Sequence, residues 1–340
     1  MNQTLLKTLL KEKEQKRLQE SLIAERKKEE IYKQNKRLQK IDETLNSYAF
    51  TTIKNILSTG NTDSVYDLEK TILNLKLEKK GILKNIGLTE NDLEPHYECS
   101  VCNDTGYINT NYGSSLCNCI KQQLFNIEYN KSNIGNLEKE NFNTFCLNLF
   151  SNEIDEKKYN SNISPRSNII NIKKIAEKFI LNFDNPDEKN LLFTGNTGLG
   201  KTFLSNCIAK ELLDKGKTVL YQTSSIMLDT IIDYRFGKEN VPKNIYQNLL
   251  DVDLLIIDDL GTECMNSMKF TELFNIINTR LLNQNNHITK TIISTNLSLQ
   301  NLFNTYDERI VSRLIGSYNI CRFFGDDIRL KSIFTEQNGH

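Results

Sequence analysis

The feature that most constrains this chain is an eight-residue run, Gly195-Asn196-Thr197-Gly198-Leu199-Gly200-Lys201-Thr202. It sits between the apolar segment Asn190–Thr194 and the periodically apolar segment Lys201–Lys215, in which Ile208, Leu212 and Leu213 fall on one side. The pattern G-x-x-x-x-G-K-[ST] between a strand and a helix makes a phosphate-binding loop. Glycines permit backbone conformations that turn several N–H groups into one concavity. The helix that follows offers the positive end of its dipole to the same place. Lys201 adds a mobile cation for β- and γ-phosphates, and the Thr202 hydroxyl can ligate Mg²⁺. The loop therefore predicts ATP held by residues 195–202, with Mg²⁺ beside it.

The surrounding sequence alternates strands with helices. Strands are expected at Asn190–Thr194, Thr218–Thr223, Leu254–Asp259, Thr291–Thr295 and Ile320–Phe324. Helices are expected at Ile172–Phe183, Lys201–Lys215, Ser225–Tyr234, Lys269–Asn283 and Asp307–Ile315. Alternation of this kind implies right-handed crossovers and a mostly parallel sheet, so the fold class is α/β. Short apolar strands such as Leu254-Leu255-Ile256-Ile257 suit burial on both faces. Two carboxylates, Asp258 and Asp259, end that strand and should stand at the sheet's carboxyl edge beside the phosphate loop. Asp258 is the candidate to reach Mg²⁺ through water, and Asp259 to orient and deprotonate an attacking water. Ser294-Thr295-Asn296 closes the next strand, where the Asn296 amide can hold that water against the γ-phosphate.

The chain has 340 residues, 38% of them hydrophobic and a quarter charged, which gives an ample core for more than one domain. Its formal net charge is zero, so any surface for nucleic acid must be a local patch. No apolar run is long enough to span a bilayer, and no signal-peptide core follows Lys7, Lys11 and Lys13. The expectation is a cytoplasmic protein with no membrane partner. Eight cysteines in that setting read as thiols or metal ligands.

Residues 1–45 lack Gly and Pro and carry twelve Lys/Arg against eight Asp/Glu. Leu18, Leu22, Ile31, Leu38, Ile41 and Leu45 recur at helical intervals, which predicts one long amphipathic helix. A turn at Gly60-Asn61-Thr62-Asp63 and a second helix over Ser64–Lys80 complete an antiparallel pair. Cys99-x-x-Cys102 and Cys117-x-Cys119 then have the spacing of a Zn²⁺ site. Four thiolates leave no open coordination position, so the role is structural; His96 is a fifth candidate ligand. Residues 151–166 read as an exposed linker or long loop.

The phosphate loop, the strand ending in Asp258-Asp259 and the strand-terminal Asn296 resemble those of the AAA+ ATPases. More narrowly, residues 172–335 are similar to the bacterial helicase loaders of the DnaC/DnaI family and their IstB-like relatives. Asp-Asp after the second strand motif is common among the loaders. Asp307-Glu308-Arg309-Ile310-Val311-Ser312-Arg313-Leu314 resembles their arginine segment, and Gly325-Asp326-Asp327-Ile328-Arg329 their closing strand-loop. The cysteine cluster is similar to the zinc-bearing region of DnaI-type loaders. A C-terminal helical lid is not expected, since little chain follows Arg329.

That resemblance implies residues 1–94 as a helical partner-binding region, 95–125 as a zinc module, 126–170 as a linker and 171–340 as the AAA+ domain. It implies self-association through the AAA+ domain, with Arg313 reaching a neighbour's nucleotide; Arg309 is the second candidate, and Arg329 a possible phosphate sensor. It also implies a replicative helicase and single-stranded DNA as partners. Two other functions share the same engine: an IstB-like helper of a transposase or phage system, and an adaptor that uses ATP as an assembly switch.

Overall fold

A computed structural model describes residues 3–59, 63–110, 113–129, 137–238, 241, 244–283 and 288–329. The chain divides into two units, one of Lys7–Cys117 and the other of Asn118–His340 together with Met1–Leu6.

The first unit holds three helices, α1 (Gln3–Gln34), α2 (Lys36–Thr59) and α3 (Asp63–Asn85), and a hairpin of β1 (Tyr107–Thr110) and β2 (Gly113–Leu116). One long first helix was expected, but the chain breaks at Asn35. The Asn35 Oδ1 accepts a hydrogen bond from the Leu38 N–H at 3.1 Å, so this asparagine starts a new helix instead of continuing the old one. The expected turn at Gly60–Thr62 lies outside the described residues. Helices α2 and α3 pair antiparallel. Arg37 bonds Glu78 at 2.6 Å, Lys79 bonds Asp42 at 2.5 Å, and Leu38, Leu83 and Leu93 form a small core between them. The anticipated apolar stripe is only half used: Leu38 and Ile41 are buried, whereas Leu18 and Leu22 are exposed.

The second unit begins with α4 (Asn118–Glu128), a short α5 (Glu156–Tyr159) and α6 (Pro165–Leu181). It continues as β3 (Asn190–Thr194), α7 (Lys201–Asp214), β4 (Val219–Thr223), α8 (Ser224–Arg235), α9 (Ile245–Asp251) and β5 (Leu254–Leu260). It closes with α10 (Ser267–Asn283), β6 (Lys290–Thr295), α11 (Leu299–Thr305), α12 (Glu308–Ser317) and β7 (Tyr318–Arg322). The five long strands form one parallel sheet in the order β4-β5-β6-β3-β7. This is the α/β class with a parallel sheet that the sequence predicts. The question of a helical lid beyond Arg329 falls outside the described residues.

Alternate strand residues feed two cores. Leu192, Leu255, Ile257 and Ile293 face α8, α9, α10 and α12, while Leu191, Phe193, Ile256 and Ile292 face α6 and α7. Burying each such side chain contributes about 1.5–3 kcal/mol before chain entropy is counted. Every residue of β3 and β6 is buried, as central strands require, but the edge strand β7 is only partly buried.

Several boundaries differ from expectation, two of them for clear local reasons. Helix α6 starts at Pro165, ahead of the expected Ile172, because Ser164 caps it: its Oγ accepts from the Ser167 N–H at 3.2 Å, and Pro165 suits the first helical position. Strand β7 starts at Tyr318, where it falls into register with Asn190 of β3. Part of the segment anticipated as a linker is packed. Phe142, Phe145, Leu147 and Phe150 join the core beside α6 and α7, whereas residues 130–136 lie outside the described residues. Among the described residues, no helix is long and apolar enough to cross a membrane.

Candidate nucleotide site and cysteine cluster

Sheet order makes the site. Strand β6 lies between β3 and β5, so the loop after β3, the carboxylates ending β5 and the amide after β6 meet at one edge. The phosphate loop turns on positive φ values at Gly195 (139°), Gly198 (72°) and Gly200 (86°), a region that costs an L side chain about 1 kcal/mol or more. At Gly195 there is also no room, since a Cβ would run into the carbonyl oxygen of Phe323.

Lys201 is buried at the first turn of α7. Its ammonium donates to the Gly195 carbonyl at 2.5 Å, the Asn196 carbonyl at 2.7 Å and the Asn296 Oδ1 at 2.7 Å. Those bonds use all three of its protons. Burial pushes its pKa down to about 8, against the opposing pull of Asp259 and Asp258.

Asp258 is the most tightly held group. Its Oδ2 accepts from Thr202 Oγ1 at 3.1 Å and from the Tyr221 hydroxyl, and its Oδ1 accepts from the Ser294 hydroxyl. Ser294 Oγ in turn accepts the Asp259 N–H at 3.1 Å. Thr202 and Asp258 thus bring a hydroxyl and a carboxylate together, the hard oxygen set that Mg²⁺ prefers. The backbone of Asp259 is left-handed, at φ 54°, and the β5–β6 register shifts between Ile257 and Leu260. This bulge re-aims the second carboxylate out of the strand's alternation. Burial raises the Asp259 pKa, the Asp258 charge adds to the rise, and Lys201 and Arg329 oppose it.

The Gly325–Arg329 segment lies against the loop. The Ile328 N–H donates to the Gly198 carbonyl at 2.9 Å, and the Asp327 carboxylate fills the space a Cβ on Gly198 would need. Arg329 is near enough for its charge to lower the pKa of both Lys201 and Asp259. The other two arginines stand on α12. Arg309 bonds Asp307 at 2.8 Å and lies over the Phe274 ring, while Arg313, exposed, bonds Asn278 Oδ1 at 3.0 Å. Among the described contacts, neither bonds to Lys201, Asp258 or Asp259. Sequence reading assigned no role to Ser294, Tyr221 or Ser224. Their signal is the sheet order, which no local pattern carries.

The sulfurs of Cys99, Cys102, Cys117 and Cys119 all lie within 4.8 Å of one another, and Cys99 and Cys117 are 3.8 Å apart. Zn–S bonds of about 2.3 Å in a tetrahedron put sulfurs roughly 3.8 Å apart, so the cluster fits zinc. His96 is not in the group. The first knuckle is wound by Asp104, whose carboxylate accepts the N–H groups of Glu98 at 2.8 Å and Cys99 at 3.1 Å. The Lys13 ammonium, buried in α1, bonds that same carboxylate at 2.9 Å and Glu98 at 2.8 Å. Elemental analysis of the purified chain should find about one zinc per molecule, and Cys117→Ser should lose most of it. A zinc-free wild type, stable to chelators, would exclude the structural metal.

Comparison with known proteins covers much of this unit. The family model described as IstB-like ATP binding protein matches residues 156–333. The replicative helicase loader DnaC of Buchnera aphidicola subsp. Schizaphis graminum is 27% identical over 143 residues, covering 42% of this chain and 54% of that protein. The DnaC loader of Escherichia coli K12 is 26% identical over 139 residues, covering 41% and 55%. The chain thus spans about half the length of the relatives it matches. Among solved structures, the DnaC helicase loader aligns with a TM-score of 0.42 and 21% identity, over 56% of this chain and 99% of that one.

Proposed function

The chain belongs to the family of IstB-like ATP-binding proteins, and on that premise we propose that it hydrolyses ATP to deliver a replicative helicase to single-stranded DNA. The observation that carries the reading is the junction at Lys201. One ammonium links the phosphate loop to Asn296, while Thr202 links the same loop to Asp258. These are the positions that in-line attack of water on a γ-phosphate requires.

In this reading the N–H groups of residues 195–202 and the Lys201 ammonium bind the β- and γ-phosphates. Thr202 and Asp258 hold Mg²⁺, which when bound neutralises charge developing on those phosphates. Asp259 accepts the proton of the attacking water, and its raised pKa makes it a better base than an ordinary aspartate. Asn296 orients that water, and Arg313 arrives from a neighbouring subunit. Residues 1–94 and the zinc module at 95–125 dock on the helicase. The DnaC names among the relatives support the loader over a transposition helper, and so does the helical, cysteine-bearing front half.

Steady-state hydrolysis by the full chain, with and without single-stranded DNA, tests the reaction. The wild type should turn over and respond to DNA. Asp259→Asn should bind ATP yet lose at least ~100-fold in kcat. A wild type that binds ATP without turning it over would favour an ATP-switched adaptor instead.

A further inference from the structure

Buried polar groups beyond the nucleotide site point to a link between its two halves. Glu263 is a buried carboxylate just past β5. Its Oε2 accepts the Gly261 N–H at 3.0 Å and the Ser224 hydroxyl at 2.5 Å, and its Oε1 accepts the Tyr306 hydroxyl. Each donor comes from a different element. Gly261 belongs to the turn that leaves Asp259. Ser224 opens α8. Tyr306 ends α11 and directly precedes Asp307, the N-cap of α12, whose Oδ1 accepts the Arg309 N–H at 2.9 Å.

We infer that Glu263 is a positioning residue that locks the Asp259 turn to the arginine-bearing helix α12, so that the two move as one. The inference rests on the proposed hydrolytic function, in which Asp259 serves the chain's own nucleotide and Arg313 the neighbour's, so that the link runs between two adjoining sites of one assembly.

The physical case has three parts. A buried carboxylate is tolerable only while its lone pairs are met, so removing any donor leaves part of it desolvated and unpaired inside the core. The three donors therefore keep their places together. Next, the Ser224 hydroxyl lies within bonding distance of both Glu263 and the Asp259 carbonyl, the latter at 3.1 Å. A hydroxyl has one proton to give, so a shift of the Asp259 turn changes which acceptor Ser224 serves. That exchange connects the turn to Glu263. Last, Thr262 also donates to the Asp259 carbonyl through its Oγ1, at 2.9 Å, while Ser294 Oγ accepts the Asp259 N–H at 3.1 Å, so the left-handed residue is held at both its carbonyl and its amide. A displacement of Asp259 by nucleotide is thereby passed to Tyr306 and on to the N-terminus of α12.

The test is a double-mutant cycle of Tyr306→Phe with Arg313→Ala, in the full chain, by single-turnover and steady-state ATP hydrolysis. Tyr306→Phe removes one hydroxyl and spares the ring, so it should fold; Glu263→Gln is the second variant. Alone, Tyr306→Phe should lower kcat ~10-fold with KM within about twofold. In the Arg313→Ala background it should have almost no further effect, because the helix it positions no longer carries the arginine. Equal factors in both backgrounds, or a raised KM at unchanged kcat, would overturn the coupling and leave the hydrolytic function standing. A wild-type chain that does not hydrolyse ATP would overturn both.

Discussion

Lys201→Ala should abolish nucleotide binding under ordinary assay conditions. The ammonium is the one mobile cation in the phosphate loop, and it is already desolvated, so its interaction with phosphate oxygens is not diluted by water. Charge-assisted bonds of this type contribute about 1.5–3 kcal/mol each, and loss of two corresponds to at least ~100-fold weaker binding. The same burial gives a pH signature in the wild type. The Lys201 pKa stands near 8, below the usual 10.5 of lysine, so between those values the native state holds fewer protons than the unfolded state. Stability of the nucleotide-free chain therefore rises with pH across that window. Phosphates favour the charged ammonium, so ATP binding above pH 8 takes up a proton. Calorimetry in buffers of different ionisation enthalpy reads this uptake directly; a binding enthalpy independent of buffer would contradict it.

Arg313→Ala should spare ATP binding, within about twofold, and lower turnover by ~1,000-fold. An arginine that enters a phosphoryl-transfer site from a neighbouring molecule contributes about 10³–10⁵ in rate. In its own chain Arg313 is exposed, and among the described residues it bonds an asparagine of α10, a neutral partner that leaves its charge available to a second subunit. Mixing separates this from a role in cis. Lys201→Ala supplies an intact Arg313, and Arg313→Ala supplies an intact phosphate loop. The mixture should regain activity that neither variant has alone. No recovery, or full turnover by Arg313→Ala, would remove the trans role. Arg309 is the weaker candidate on physical grounds, since its guanidinium is tied to Asp307 and lies over Phe274.

The parts of this protein legible in its sequence are those set by short-range pattern. The phosphate loop, the strand ending in Asp258-Asp259 and the helix Lys201–Asp214 are each written in a few adjacent residues, and their bounds differ little from expectation. The four cysteines were legible for the same reason, because knuckle spacing is local. What could not be read depends on which strands become neighbours. Tyr221 and Ser294 meet Asp258 only because β4 and β6 flank β5. Glu263 reads as an ordinary polar residue until the fold brings Ser224 and Tyr306 to it. Caps were the other weakness. Asn35 and Ser164 each fix a helix start through one side-chain bond, and hydrophobic periodicity does not register such bonds.

If the proposed ATP site drives the loading of a helicase, the chain must bind that helicase, and co-purification reads this binding. The full chain, mixed with its host's replicative helicase and ATP, is passed over a sizing column with mass detection. A stable complex is expected, and it should be lost when residues 1–125 are removed. Separate elution of the intact chain and the helicase, with ATP present, would contradict the loader function while leaving the nucleotide chemistry in place.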